Sequence, residues 1–174
     1  VHADLSPLIA ATATWLTRAY PAVGGAMASA LCEAQARQAV TVAALLRYPT
    51  PMDASLVAMA GPGGSARLDR IGDTGHRADS DDAAAPERHA WRTWVDEVVA
   101  SWAACLLGDP GLAAAAVAGT NDDAPGAYRR LVAPDEHDRQ AAALLRHPDL
   151  LAPVAALHRD LLRNRLRPTV PDMA

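Results

Sequence analysis

The sequence predicts an all-α fold, an irregular bundle of six or seven helices in one domain spanning 1–174. Three observations predict it. Half of the chain is apolar, yet there is no Phe and only two Ile, Ile9 and Ile71, so strands would lack the branched and aromatic side chains they favour while alanine-rich segments favour helix. Apolar residues recur at helical spacing over most of the length. Proline and capping residues punctuate those stretches where helices should begin or stop.

Ser6 followed by Pro7 suits a cap and first turn, and the helix they open runs to Tyr20, where Pro21 stops it. From about Val23 to Arg47 the stripe Met27, Leu31, Ala34, Val42 and Leu45 marks the longest helix, with Glu33 and Arg37 paired one turn apart outside it. Thr50, Pro51 and Asp53 supply the cap, first position and N3 acid of a short helix reaching Ala60. Residues 61–86, with GPGG, DTG and DSDD, read as one long flexible loop. Pro86 and Glu87 open the central helix, about 87–107. Asp109 and Pro110 begin a short alanine-rich helix ended by Gly119, and the turn-rich TNDDAPG leads to two closing helices, about 134–147 and 149–166. AALLRYP at 43–49 returns as AALLRHP at 142–148, each a generic helix end with Arg in the last turn and a proline stop.

The central helix carries the most information. Trp91, Trp94, Val95, Val98, Trp102 and Leu106 share one face, which places Trp94, Val98 and Trp102 in the core. From Val98 to Leu107 every residue is apolar or small, as in a helix enclosed on all sides. Asp96 and Glu97 stand where exposure gives way to burial. A carboxylate there must be paired, and Glu97 is expected to be held by an arginine or by helix-end donors.

The segment WVDEVVASWAACLLGDPGLAAAA, within residues 94–116, resembles the helical segment of gluzincin-type zinc-metallopeptidase-like proteins, Glu-x-x-Ala-Asp followed by a Gly-Pro-Ala turn. The resemblance implies a zinc ligand at Glu97 and a metal-dependent hydrolase, intact or degenerate, with Glu97 and Asp96 as its catalytic candidates. Ser101 stands where that family has Asp, Asp109 intrudes in the turn, and there is no HExxH. The histidines are His2, His76, His89, His137, His147 and His158, and no pair has zinc spacing; His89, Glu97 and His137 are the ligand set weighed for zinc. The closing helices look like those of tetracycline-repressor-type regulators, which implies the ligand-binding helical domain of a transcription regulator, without a helix-turn-helix before it.

Other chemistries lack their signatures. DSDD at 79–82 lacks the central Gly and terminal Glu of a calcium loop, GPGGS at 61–65 has no lysine of a phosphate loop, and no Gly-x-Ser-x-Gly elbow occurs. Arg159, Arg163, Arg165 and Arg167 gather near the C-terminus, where they complement a helix dipole and offer an anion or partner contact.

All 16 basic residues are arginine, which with the missing Phe and abundant Ala points to a GC-rich bacterial coding bias. A net charge of -4 gives no overall attraction to nucleic acid or anionic membrane. Cys32 and Cys105 sit in apolar helices and read as buried free thiols, no apolar run reaches about eighteen residues, and the start lacks a basic leader. The expectation is therefore a soluble cytoplasmic domain. Its leading function is non-catalytic: a helical module that binds a protein partner, itself or a small apolar ligand, without cofactor, nucleic acid or membrane.

Overall fold

A computed structural model describes residues 4–72, 87–120 and 126–167, with the backbone alone for 87–89. It is all-helical, as the composition requires. Among the described residues there are ten α-helices and one 3₁₀ segment, more and shorter elements than the six or seven expected.

Helix α1 spans Ser6–Ala19. Its cap lies one residue earlier than expected: Ser6 is already helical, and the Asp4 carboxylate accepts from the Ser6 amide at 2.9 Å and from its hydroxyl at 2.6 Å. Helix α2, Gly25–Arg47, begins after Gly24, whose φ of 134° few side chains would tolerate. The expected Met27 stripe is corrected, since Met27 is 69% exposed. The buried face instead runs through Cys32, Gln35, Ala36, Ala39, Val40, Ala43 and Leu46. Helix α3, Pro51–Ala60, has the predicted capping box, Thr50 with Asp53, and ends at Gly61, φ 76°.

The loop expected over 61–86 contains a two-turn helix, α4, at Ala66–Gly72. Residues 73–86, DSDD among them, lie outside the described residues. Asp69 explains why α4 forms against the rest: its carboxylate accepts from Trp15 Nε1 of α1 at 2.8 Å, from Ser65 Oγ at 2.8 Å and from Arg92 at 2.7 Å. A buried acceptor met by three donors repays the ordering of a short helix that local propensity alone would not sustain.

The central helix of 87–107 is also corrected. Glu87–Trp94 is a 3₁₀ segment, the chain turns at Val95 and Asp96, and α5 occupies Glu97–Gly108. Asp96 is the reason, because an acid that caps cannot lie inside the helix it starts. Its Oδ1 accepts from the Val99 amide at 3.0 Å, its Oδ2 from the Tyr48 hydroxyl at 2.5 Å, and its own amide donates to Thr12 Oγ1 at 3.2 Å. Of the expected stripe, Val95, Trp102 and Leu106 are buried as predicted, whereas Trp91, Trp94 and Val98 are only partly buried against the core, and Val99, outside the stripe, is buried as well.

Helix α6, Pro110–Ala118, is capped by Asp109 and ends at Gly119, as predicted. Helices α7, Arg129–Val132, and α8, Glu136–Ala141, come next. The two long closing helices are not found. The first gives way to turns after Ala141, and the second is split into α9, Pro148–Ala156, and α10, Arg159–Arg165.

Helix α5 is central in space as well as in sequence, packed most extensively on α2 and α9, while α1 lies on α2. Both α5 and α2 bury small residues, Ala100 and Ala103 on α5 and Ala36, Ala39 and Ala43 on α2, which suits the close approach of helix axes. Among the described residues no helix is long and apolar enough to cross a membrane.

Tyr48 gives this arrangement a pH dependence. Burial first, then the hydrogen bond and charge of Asp96, raise its pKa well above the ordinary tyrosine value. A group whose folded pKa is raised contributes stability that is complete below its unfolded pKa, about 10, and is lost as pH rises beyond it. Thermal melts should therefore fall steeply above about pH 10. Tyr48→Phe should flatten that fall without abolishing it, because burial raises Tyr20 as well. An unchanged alkaline slope in the variant would contradict the Tyr48–Asp96 contact.

Candidate functional site

On α5, polar residues interrupt the apolar sequence one turn apart at Glu97, Ser101 and Cys105, which places all three on one face. That face meets the junction of α9 and α10. Ser101 Oγ donates to the Ala155 carbonyl at 3.2 Å and accepts from the His158 amide at 3.0 Å. Cys105 Sγ donates to the same carbonyl at 3.4 Å, and Trp102 Nε1 to the His158 carbonyl at 3.2 Å. The Ala155 carbonyl and the His158 amide at the helix break are thus received by side chains of α5, while the His158 carbonyl, which also accepts from the Leu162 amide, takes the Trp102 indole as a second donor.

The break aims two side chains. His158 turns its Nε2 to Glu97 Oε1, 2.7 Å away, and Arg67 of α4 approaches the same oxygen at 3.3 Å. Glu97 is three-quarters covered, so it is held as the sequence predicts, by an arginine, with a histidine that sequence reasoning did not supply. Ser101, Glu97 and His158 do not form a nucleophilic triad, because the serine hydroxyl meets the histidine's backbone and not its ring.

Of the zinc set weighed from the sequence, only Glu97 and His137 have described side chains, and Glu97 faces His158 and Arg67. His137 is exposed at the second position of α8, and the His89 side chain lies outside the described residues. Among the described residues no three His, Cys, Asp or Glu side chains converge. Asp96, the other catalytic candidate, is 2% exposed, with its carboxylate committed to the cap of α5.

The C-terminal arginines divide by role. Arg165 donates to the Leu46 carbonyl at the end of α2 at 3.1 Å, Arg163 lies 3.8 Å from the exposed Asp160, and Arg167 is exposed. Arg159, in the first turn of α10, reaches the Cys105 thiol. Beside it opens a cavity of about 310 Å³ between α5, α6, α9 and α10.

No protein-family model, curated protein or solved structure matches this chain. Its own geometry must therefore carry the functional reading. A second feature of that geometry lies on the opposite arm of the chain. Helix α3 turns Ala54 and Val57 inward and leaves Met52, Leu56 and Met59 at 73%, 55% and 78% exposure, one row at i, i+4 and i+7. Its single charge, Asp53, is spent in the capping box. Shallow grooves flank the row, one bounded by Tyr48, Leu56 and Pro62, the other by Met59, Gly63 and Trp94. The sequence offers a signal for this face, a short helix that is apolar apart from Asp53 and Ser55 in its first half, but not which side remains bare.

Proposed function

We propose that this protein is a non-catalytic helical interaction module that associates with a second copy of itself through the outward face of α3. The observation that carries the reading is the row Met52, Leu56 and Met59, exposed on a helix whose only polar side chains, Asp53 and Ser55, are bonded back to its own first turn. Such a helix is ordinarily covered on both sides.

A second copy is the occupant because the face is self-complementary. An apolar ridge runs beside a mostly apolar groove, the one bounded by Met59, Gly63 and Trp94, so a two-fold axis sets the ridge of each copy into that groove of the other. A partner chosen by charge would need charges opposite it, and this face offers only Asp53, spent in the capping box, and Arg47 at the rim of one groove, one of each sign. Methionine adapts to such a seam, since its unbranched side chain fills irregular gaps. The use of polar groups on α5 agrees with a binding role: Ser101 and Cys105 hold backbone, and Glu97 is paired to His158 and Arg67.

Sedimentation or light scattering at about micromolar concentration, a Kd range ordinary for such contacts, tests the reading. The expected result is a dimer that Leu56→Glu and Met59→Glu convert to monomer, with melting of the monomer close to that of the dissociated wild type because both positions are exposed. A wild type that stays monomeric, or a dimer that survives both substitutions, would overturn it.

A further inference from the structure

We propose that the cavity between α5, α6, α9 and α10 is a binding site for a small organic monoanion, a carboxylate carrying a short apolar tail. Its volume, about 310 Å³, lies at the lower end of the range for small-molecule sites. Ala104, Leu112, Leu151 and Ala155 line it with hydrocarbon, and Arg159 and Arg163 stand on its wall. Apolar lining with a few convergent polar groups is the composition that fixes both the body and the orientation of a ligand.

The charge balance selects an anion. Two guanidinium groups face the cavity against one carboxylate, Asp109, whose Oδ1 already accepts from the Leu112 amide at 2.9 Å as the cap of α6. The fourth ionisable group on the wall is the Cys105 thiol. Burial raises its pKa, against the opposing pull of Arg159 and Arg163, so it remains neutral at physiological pH and does not offset them. Among the described residues no carboxylate lies within ion-pair distance of Arg159, and Arg163 has only Asp160, 3.8 Å away and exposed. A planar guanidinium fork matches a carboxylate with two parallel hydrogen bonds.

The site is also preorganised. Ser101 and Cys105 hold the Ala155 carbonyl, and Ser101 the His158 amide, fixing the helix break next to Arg159, which lines the cavity beside the thiol. Arg159 therefore does not depend on a ligand to bring it to the cavity, and less ordering is lost on binding than at a flexible surface arginine.

Calorimetric titration of the full chain with hexanoate, hexan-1-ol and inorganic phosphate tests this inference. Hexanoate is expected to bind with one site per chain, and the other two at least about tenfold more weakly, since one lacks the charge and the other the tail. Arg159→Gln should weaken hexanoate at least about tenfold, Arg159→Lys should recover part of the loss, and Arg167→Gln should leave it unchanged. Ala152→Trp, which fills the cavity from its exposed rim without touching a charge, should abolish binding, so the inference remains testable even if Arg159→Gln fails to fold. No saturable binding of hexanoate, or binding indifferent to both Arg159→Gln and Ala152→Trp, overturns the site. Equal binding of hexan-1-ol overturns the anion, and equal or tighter binding of phosphate overturns the apolar tail.

Discussion

Arg146→Leu should destabilise the protein by about 3 to 5 kcal/mol, whereas Arg47→Leu, at the matching position of the repeated AALLR sequence, should change stability by no more than about 0.5 kcal/mol. The two arginines have the same neighbours in sequence and different ones in space. Arg146 donates through Nε to Gln35 Oε1 at 2.5 Å, through Nη1 to the Leu107 carbonyl at 3.0 Å and through Nη2 to the Arg130 carbonyl at 2.6 Å. It thereby joins α2, the C-terminal end of α5 and α7. Gln35, fully buried, passes the connection on by donating to the Asp138 carbonyl at 2.8 Å. Burial pulls the guanidinium pKa down and the Asp138 charge pushes it up, but arginine keeps its proton throughout the accessible range. Leucine would leave three acceptors without their donor, and an orphaned buried acceptor costs about 1 to 3 kcal/mol. Arg47, by contrast, is exposed beside the Tyr48 ring, where a cation and an aromatic face exchange little energy in water. Denaturant melts of the two variants check the contrast. Equal losses would mean that the Arg146 network does not hold in solution.

Trp102→Ala should cost about 3 to 5 kcal/mol, the range for deleting a buried aromatic. Trp102 is 2% exposed at the centre of α5, and its indole also donates to the His158 carbonyl at the break between α9 and α10. The substitution opens a cavity and removes the second of two donors to the His158 carbonyl, the Leu162 amide being the other. Trp94→Ala should cost distinctly less, about 1 to 2 kcal/mol, because the 3₁₀ segment leaves that ring only half-buried. Urea melts give both values directly. A loss below about 1 kcal/mol at Trp102 would place its ring at a loose surface, and a larger loss at Trp94 than at Trp102 would restore the continuous central helix.

Composition and punctuation together determined the fold class. Absent Phe, scarce Ile and abundant Ala leave helix as the favoured state, and local capping chemistry places its boundaries. The capping box of Thr50 and Asp53, and the start of α6 at Asp109 and Pro110, were legible because a cap acts within one turn of its own chain. So was the need of Glu97 for a partner, since a carboxylate at the edge of an apolar helix must find one.

Only the tertiary structure decided which partner. His158 lies 61 residues from Glu97 and reaches it because the chain breaks at that residue, and at the break Ser101 and Cys105 receive backbone groups of a distant helix. The same holds for α4, which forms inside a stretch that reads as loop because Trp15 and Arg92 meet Asp69 there. It holds again for Arg47 and Arg146, one heptapeptide pattern with a solvated end and a buried one. Periodicity records which residues could share a face, whereas the faces that are buried, and the helices that break to bury them, follow from long-range packing that outweighs local preference.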